Sequence, residues 1–207
     1  LAILFFNTFS LFSCKENKEE AQAVLSESNG KINNVSIIID DNLWNGEIGD
    51  SIRKKFAAPV DGLPQEEPLF TLNQYPTKVF EGFVRKSRNI IIVKKDTKTG
   101  FSSNNNVYAK PQNVFLVSGK TTEDVLKVLE EKSAEIIKTV KSAEIIENQL
   151  RMKKSLVSDD KVQKMFGVSL EIGFGFKYDM VKDNFIWLRK EFSSGYHSIL
   201  LYQVPID

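Results

Sequence analysis

The sequence predicts an α+β fold in which a mixed sheet with two short helices and one long helix is followed by an antiparallel β meander. Three observations support this prediction. Short β-branched runs alternate with amphipathic segments early in the chain, a long helical tract follows, and three β-rich segments separated by turn residues close the sequence. With 207 residues, of which 42% are hydrophobic and 27% charged, the chain is long enough to bury a core.

The first thirteen residues carry no charge and are mostly apolar. A membrane-spanning helix needs about 20 residues, so residues 1–13 are predicted to be a secretory signal peptide. Cys14 follows Leu11-Phe12-Ser13, which resembles the lipobox of bacterial lipoproteins. We therefore expect Cys14 to be acylated and residues 14–33 to form a flexible tether between the membrane and the folded body. The alternative is a free Cys that follows an apolar stretch by chance.

The first elements after the tether are a strand and a helix. Val35–Ile39 is a β-branched run bounded by Asn and Asp residues, which is typical of a short buried strand. From Gly46 to Phe56 apolar side chains recur every four residues, which predicts an amphipathic helix that ends before Pro59. The next expected elements are a strand at residues 69–75, a helix at 77–86, a strand at 89–93, a mobile loop at 97–106 and a strand at 113–117.

A long helical tract from Thr121 to about Leu156 contains an internal repeat. Lys132–Ile137 recurs nine residues later as Lys141–Ile146. Nine residues advance a helix by about 900°, so the two Ile-Ile pairs face opposite sides, and the helix either packs on both sides or bends near Val140. The tract would be about 54 Å long, whereas a globule of this size is about 43 Å across. This difference predicts a break or an overhang.

Three β segments close the sequence, at residues 168–178, 184–192 and 198–204. Turn residues between them predict an antiparallel meander. Residues 34–207 are therefore predicted to form a single α+β domain. Because no closing helix or polar tail follows Val204, we expect this domain to continue beyond Asp207.

Composition and charge exclude several classes of function. Lys and Arg number 28 and Asp and Glu 27, a net charge of +1, so no basic field favours nucleic acid. A single Cys and a single His exclude an intrachain disulfide and a zinc site made of Cys and His ligands. We assign no catalytic residue, no metal and no cofactor. His197 is expected on the surface because nothing at a recognisable spacing completes a catalytic triad.

Ser118-Gly119-Lys120-Thr121 lies between a strand and a helix, as a phosphate-binding loop does. Such a loop needs a Gly five positions before Gly119, and that position is Val114. Thr121 and Asp124 instead predict a capping box at the start of the long helix. We therefore expect no nucleotide.

Three basic clusters lie at predicted helix ends: Arg53–Lys55, Arg85–Arg88 and Arg151–Lys154. We expect them to face solvent and to interact favourably with the helix dipole. Contact with a phosphate-rich lipid headgroup is the functional alternative.

Two Trp residues and a Pro-flanked loop make up the candidate binding surface, because large aromatic side chains and rigid loops are common interface anchors. The residues are Trp44, Leu63, Pro64, Gln65 and Trp187. Packing of the same side chains in the core is the alternative.

Four stretches of the sequence resemble a family of Bacteroidota lipoproteins, family 4837 of the domains of unknown function. They are Trp44–Arg53, Leu63–Phe70, Arg88–Val93 and Asn184–Glu191. The resemblance runs from about Val35 to the end of the chain and implies a fragment of a longer envelope lipoprotein. It implies no activity and no catalytic residues.

The sequence therefore predicts a lipid-anchored, non-enzymatic binding or assembly component of the bacterial cell envelope. We expect it at the outer membrane, facing the periplasm or the cell surface, with a possible envelope protein as partner. One alternative is an enzyme acting on cell-wall glycans through a carboxylate pair such as Glu66 with Asp40 or Asp50. The other is a periplasmic ligand-binding lipoprotein, which needs a sizeable apolar pocket behind the sheet.

Overall fold

A five-stranded mixed sheet is the centre of the computed structural model, which describes residues 25–63, 65–193 and 195–205. The predicted signal peptide, Cys14, most of the tether and Pro64 lie outside the described residues. The strands of this sheet are β1 (Asn34–Ile38), β2 (Thr71–Tyr75), β3 (Asn89–Lys95), β4 (Gly100–Asn105) and β5 (Asn113–Gly119).

The order of the strands across the sheet is β2-β1-β3-β5-β4. The first four of these are parallel, and β4 pairs antiparallel with β5. The register places Ile37 opposite Ile91 and Ile91 opposite Phe115, so large apolar side chains form a continuous row across the sheet.

Strand β4 corrects one expectation, because residues 97–106 were predicted to be a mobile loop. Their Ser and Asn residues are compatible with a strand here because β4 is at the edge of the sheet, where its last three residues are exposed. Pairing with β5 from Gly100 to Asn105 satisfies the backbone.

The helices are α1 (Asp41–Trp44), α2 (Glu47–Phe56), α3 (Gly82–Arg85), α4 (Thr122–Lys153) and α5 (Asp160–Phe166), with a 3-10 turn at Thr77–Val79. The prediction of α2 is confirmed, and Ile48, Ile52 and Phe56 are buried as its spacing requires. The predicted helix at 77–86 is wrong. Gly82 has a φ of +48°, a left-handed conformation that a continuous helix does not contain, so the 3-10 turn and α3 remain separate.

Helix α4 is continuous over 32 residues and is about 48 Å long. Its capping box forms as predicted, since the Thr121 hydroxyl accepts from the Asp124 amide and the Asp124 carboxylate accepts from the Thr121 amide. The internal repeat does not break the helix, and its two copies face opposite sides, as the nine-residue offset predicts for a continuous helix. Ile136 is fully buried, whereas Ile145 and Ile146 of the second copy are 56% and 57% exposed.

Two layers cover the sheet. Helices α2 and α4 pack on one face, and the main core between them includes Ile37, Ile91, Phe115, Ile52, Phe56, Leu129 and Ile136. A smaller cluster covers the other face, where the segments around α3 and Tyr108 pack on Ile38, Ile90 and Val114. The α+β class and the long helix on a mixed sheet are therefore confirmed.

The rest of the chain forms a second core. A two-stranded ladder joins β6 (Leu156–Val157) to β7 (Ile172–Gly173), and β8 (Lys177–Lys182), β9 (Phe185–Phe192) and β10 (Gly195–Tyr202) form an antiparallel sheet. This sheet confirms the predicted meander, although its first strand is Lys177–Lys182 and not the segment predicted at 168–178. Val162 of α5 packs with Ile172, Ile186 and Leu188 in a cluster distinct from the main core. That residues 34–207 form a single domain stays a prediction.

Candidate functional site

The C-terminal sheet has one buried face and one open face, because alternate residues of a strand point to opposite sides. On the buried side Ile186 and Leu188 are fully buried, and Ile199 and Leu201 pack against them. The other side, which we call the outer face, consists of Met180, Phe185, Trp187, Arg189, Tyr196, Leu200 and Tyr202.

The strand register brings the apolar side chains of the outer face together. Trp187 lies opposite Leu200 on one side and Met180 on the other, and Phe185 lies opposite Tyr202. Tyr196, Leu200 and Tyr202 are 60%, 53% and 64% exposed. These three side chains alone leave roughly 300 Å² open to solvent, which is as large as the largest patch of many monomers. A contiguous patch of this kind is typical of a binding surface.

Polar contacts hold the centre of the outer face in place. The Trp187 indole N–H donates to the Ser198 hydroxyl at 2.9 Å. The Arg189 guanidinium carbon lies 5.6 Å from the centroid of the Trp187 ring and 5.9 Å from that of Tyr196. Arg189 also pairs with Asp179 at 3.3 Å and Glu191 at 3.2 Å. These charged groups line a cleft of about 340 Å³ beside the aromatic rings, so the apolar patch has a polar rim.

Both edges of the sheet are also open in the described part of the chain. Strands β8 and β10 each pair only with β9, which lies between them. Within the described residues, no strand pairs with the backbone groups on their outer sides, and such groups can pair with a further strand.

The five predicted surface residues are not brought together by any contact among the described residues. Trp44 is half-buried in α1, packs against the main core and lies under Arg53, whose guanidinium carbon is 4.5 Å from the ring centroid. Leu63 and Gln65 are exposed in the connector before β2, and Pro64 lies outside the described residues. Only Trp187 belongs to the outer face. That all five form one surface stays a prediction.

The carboxylates proposed for a glycan-cleaving enzyme have separate partners. Asp40 accepts from the Thr77 amide at 3.2 Å, Asp50 pairs with Arg53 at 2.7 Å, and Glu66 is exposed in the connector. The part of the chain that the structure covers also contains no group of three or more His, Cys, Asp or Glu side chains placed to hold a metal ion.

A periplasmic ligand-binding lipoprotein, the other alternative, requires an apolar pocket behind the sheet. A cleft lined by Pro111, Ala143, Ile146 and Leu150, together with several polar side chains, has a volume of about 260 Å³. Typical small-molecule sites measure about 300–1,000 Å³ and enclose most of their ligand. This cleft is a shallow groove beside α4 and not a pocket behind the sheet.

A buried ion pair at the amino end of the main sheet corrects the expectation that Arg88 faces solvent. The side chains of Arg88 and Glu144 are each 2% exposed. One carboxylate oxygen of Glu144 accepts from Arg88 at 2.7 Å and from the Asn89 amide at 2.6 Å, and the other accepts from Arg88 at 3.0 Å and from the Asn33 backbone N–H at 2.7 Å.

This network has a structural role, because every donor and acceptor in it faces another protein group. It fastens the chain before β1 to β3 and α4. The sequence carried a signal for Glu144, which lies four residues after the buried Val140 and so continues the buried stripe of α4. For Arg88 the sequence carried no such signal.

A second polar group holds α5 to the C-terminal sheet. The Asp159 carboxylate accepts from the Leu170 backbone N–H, the Ser169 hydroxyl and the Gln163 amide at 2.8–3.0 Å. These bonds, that from Leu170 above all, hold the pKa of Asp159 below its ordinary value. The Tyr178 hydroxyl donates to the Ser158 carbonyl at 2.8 Å, and its pKa is raised by burial and by the charges of Asp159 and Asp160.

Two family models match the chain, and they divide it between α4 and β6. Residues 28–153 match Domain of unknown function (DUF8532), and residues 155–207 match Domain of unknown function (DUF4837). The resemblance expected from the sequence is thus found for the last quarter of the chain, including Asn184–Glu191. The earlier stretches, such as Leu63–Phe70, lie in the part matched by the other family. Neither a curated protein nor a solved structure matches the chain.

No helix in the described ranges combines the length and the apolar character needed to cross a bilayer.

Proposed function

The chain belongs to the DUF8532 family, a domain of unknown function, and we propose that it is a non-enzymatic binding protein that docks a partner protein on its outer face. The observation that carries the proposal is the row of exposed aromatic and aliphatic side chains on β8, β9 and β10, of which Leu200 and Tyr202 are more than half exposed.

The open edges favour a protein as the occupant. A partner strand can pair with the backbone groups on the outer side of β10 while its side chains cover Leu200 and Tyr202. The central Trp187 and Arg189 are residue types that often dominate the binding free energy of protein interfaces. Their orientation is fixed before binding by Ser198, Asp179 and Glu191, which lowers the entropy lost on association.

The proposal includes a location. Acyl chains on Cys14 anchor the protein to the outer membrane of a bacterium of the Bacteroidota, with the body facing the periplasm or the cell surface. The support is the apolar stretch at residues 1–13 followed by Ser13-Cys14. Several acyl chains give stable attachment where one chain is marginal.

Purification of the acylated full-length protein from native membranes in mild detergent tests both the docking surface and the membrane location. The double substitution Leu200→Ser with Tyr202→Ser removes the exposed apolar groups without touching a buried residue, so the thermal midpoint should stay close to wild type. We expect a stoichiometric protein partner with wild type and at least tenfold less of it with the double variant.

Ile145→Ser is the matched control, because it removes an equally exposed apolar side chain from α4. It should retain the partner. Cys14→Ala should move the protein from the membrane to the soluble fraction, and mass spectrometry of wild type should find acyl chains on Cys14. Equal recovery of the partner with wild type and the double variant would contradict the proposed surface.

A further inference from the structure

Residues 26–31, which we call the strap, run along the amino end of the main sheet. The Ser28 N–H donates to the Lys110 carbonyl at 3.1 Å, and the Lys110 N–H donates to the Ser26 carbonyl at 2.9 Å. Farther along, the Asn29 N–H donates to the Lys86 carbonyl at 2.8 Å. The strap therefore lies between the loop after β4 and the segment after α3.

Lysines surround the strap. Lys31, Lys86, Lys110 and Lys154 are all exposed. Lys110 and Lys154 line one cleft with Leu150 on one side of the strap, and Lys31 lines another with Phe83 on the opposite side. These four lysines form no ion pair among the described residues, so their charge is directed to solvent.

Among the described residues, fewer acidic groups than basic groups lie near the strap. Glu27 and Glu81 are exposed, and Glu147 is engaged by Arg151 at 2.6 Å and by Arg88 at 3.8 Å. The surface is therefore positively charged, although the whole chain has a net charge of only +1.

Two large apolar side chains project among these lysines. Phe83 is 70% exposed and Leu150 is 53% exposed. Phe83 is fixed next to the strap because its carbonyl accepts from the Asn29 side-chain amide at 3.0 Å. A lysine-rich surface with isolated Phe and Leu side chains has the composition of segments that lie at the interface of anionic membranes.

We infer that this strap face, formed by Lys31, Lys86, Lys110, Lys154, Phe83 and Leu150, docks onto the surface of an anionic lipid membrane. The lysines contact lipid phosphates, while Phe83 and Leu150 enter the headgroup region. The same face is where the chain from residues 1–24 enters the described part of the protein. From Cys14 to Leu25 the backbone spans at most about 40 Å, so the proposed anchor would hold this face close to the bilayer.

The limit of about 40 Å between this face and the bilayer depends on the proposed acylation of Cys14. The positive charge and the exposed apolar side chains of the strap face do not depend on it. The test therefore uses the full chain with Cys14→Ala, in which no acyl chain contributes. Binding is measured by co-sedimentation with vesicles of phosphatidylcholine alone and with vesicles that also contain phosphatidylglycerol. Residues 1–13 are common to all variants and affect them equally.

We expect binding to increase with the phosphatidylglycerol content and to weaken with salt. Lys86→Gln with Lys110→Gln should lower the partition coefficient by about tenfold or more, because each lysine near an anionic surface contributes to binding. The charge-matched control is Lys98→Gln with Lys120→Gln at the opposite end of the main sheet. It should stay within about twofold of the parent.

The inference would be overturned if vesicle binding did not depend on phosphatidylglycerol, or if both double variants lost binding equally. It would also be overturned if the protein bound inorganic phosphate but not vesicles. Circular dichroism of each variant excludes misfolding. If the Cys14→Ala protein does not bind the vesicles but mass spectrometry finds acyl chains on Cys14 of the wild type, the docking inference fails and the proposed anchor stands. The two proposals can therefore fail independently.

Discussion

The Glu144 carboxylate joins three parts of the protein that are distant in the sequence: α4, the start of β3 and the segment before β1. It does so with four hydrogen bonds, two of them from Arg88. Such a buried pair adds little stability over an apolar replacement of both residues, but loss of one partner leaves an unpaired buried charge.

Glu144→Gln should therefore lower the free energy of unfolding by about 3 kcal/mol or more. Chemical denaturation monitored by circular dichroism measures the change. Glu135→Gln is the control on the same helix, because Glu135 pairs with Lys132 at the surface. That substitution should cost less than about 1 kcal/mol. Similar losses for both would show that the buried network does not hold the fold together.

The hydrogen bonds of Asp159 make the stability of the C-terminal core depend on pH. Its pKa in the folded protein lies below the value of about 3.9 expected for the unfolded chain. The stabilisation of the folded state by the ionised Asp159 carboxylate is therefore fully present above the unfolded-state pKa. It is lost as the pH falls through the pKa of Asp159 in the folded protein.

Asp159→Asn should lower the thermal midpoint at neutral pH and flatten its decline between about pH 5 and pH 2. In a Trp44→Phe background, Trp187 fluorescence can follow this transition because Trp187 lies on the C-terminal sheet. An unchanged decline in the variant would mean that other carboxylates control acid unfolding.

At the scale of elements, the close approach of α1 and α2 depends on Gly49. A Cβ at this position would overlap the Trp44 carbonyl oxygen. Gly49→Ala should therefore force the helices apart and lower the free energy of unfolding by about 1–3 kcal/mol or more.

Gly46→Ala provides a comparison three residues earlier. There a Cβ would be 3.5 Å from the nearest backbone oxygen, an ordinary contact, and the cost should stay below about 1 kcal/mol. Urea denaturation of both variants measures the difference. Equal costs would contradict the packing of α1 on α2.

Periodicity in the sequence predicted the elements whose patterns are strong. The buried run Val35–Ile39, the four-residue spacing in α2 and the turn residues that flank the β segment at 184–192 all led to correct elements. The sequence failed where tertiary context decides. Strand β4 is polar but pairs at an edge, α3 is separated by the positive φ of Gly82, and α5 is a short helix that ends at Gly167.

The candidate site was predictable only in part. Trp187 was identified as an aromatic anchor, but its neighbours on the outer face depend on the register between β8, β9 and β10. Cross-strand register is not visible in a single strand, so Leu200 and Tyr202 could not be assigned to the same surface. The buried environment of Arg88 likewise depends on α4, whose contact residue Glu144 is 56 positions away.

At the scale of the whole molecule, the two hydrophobic cores have few links. Among the described residues, the links between them include the chain after α4, an ion pair between Lys153 and Glu171 at 2.9 Å, and the approach of Met152 to Gly173. We therefore expect the cores to unfold separately.

Leu188→Ala, in the fully buried centre of the second core, should destabilise that core by about 2–5 kcal/mol. Hydrogen exchange should then accelerate in β8, β9 and β10 while β1 and β3 keep wild-type protection. Equal acceleration in all five strands would show that the two cores unfold as one unit.

Binding of a protein partner at the outer face can be measured by site-specific cross-linking in living cells. A photo-reactive phenylalanine analogue replaces Tyr202 in one strain and Ile145 in another, since both side chains are more than half exposed. We expect one defined protein adduct from position 202, lost when Leu200→Ser is added, and no such adduct from position 145. Absence of any adduct at position 202, or the same adduct from both positions, would contradict it.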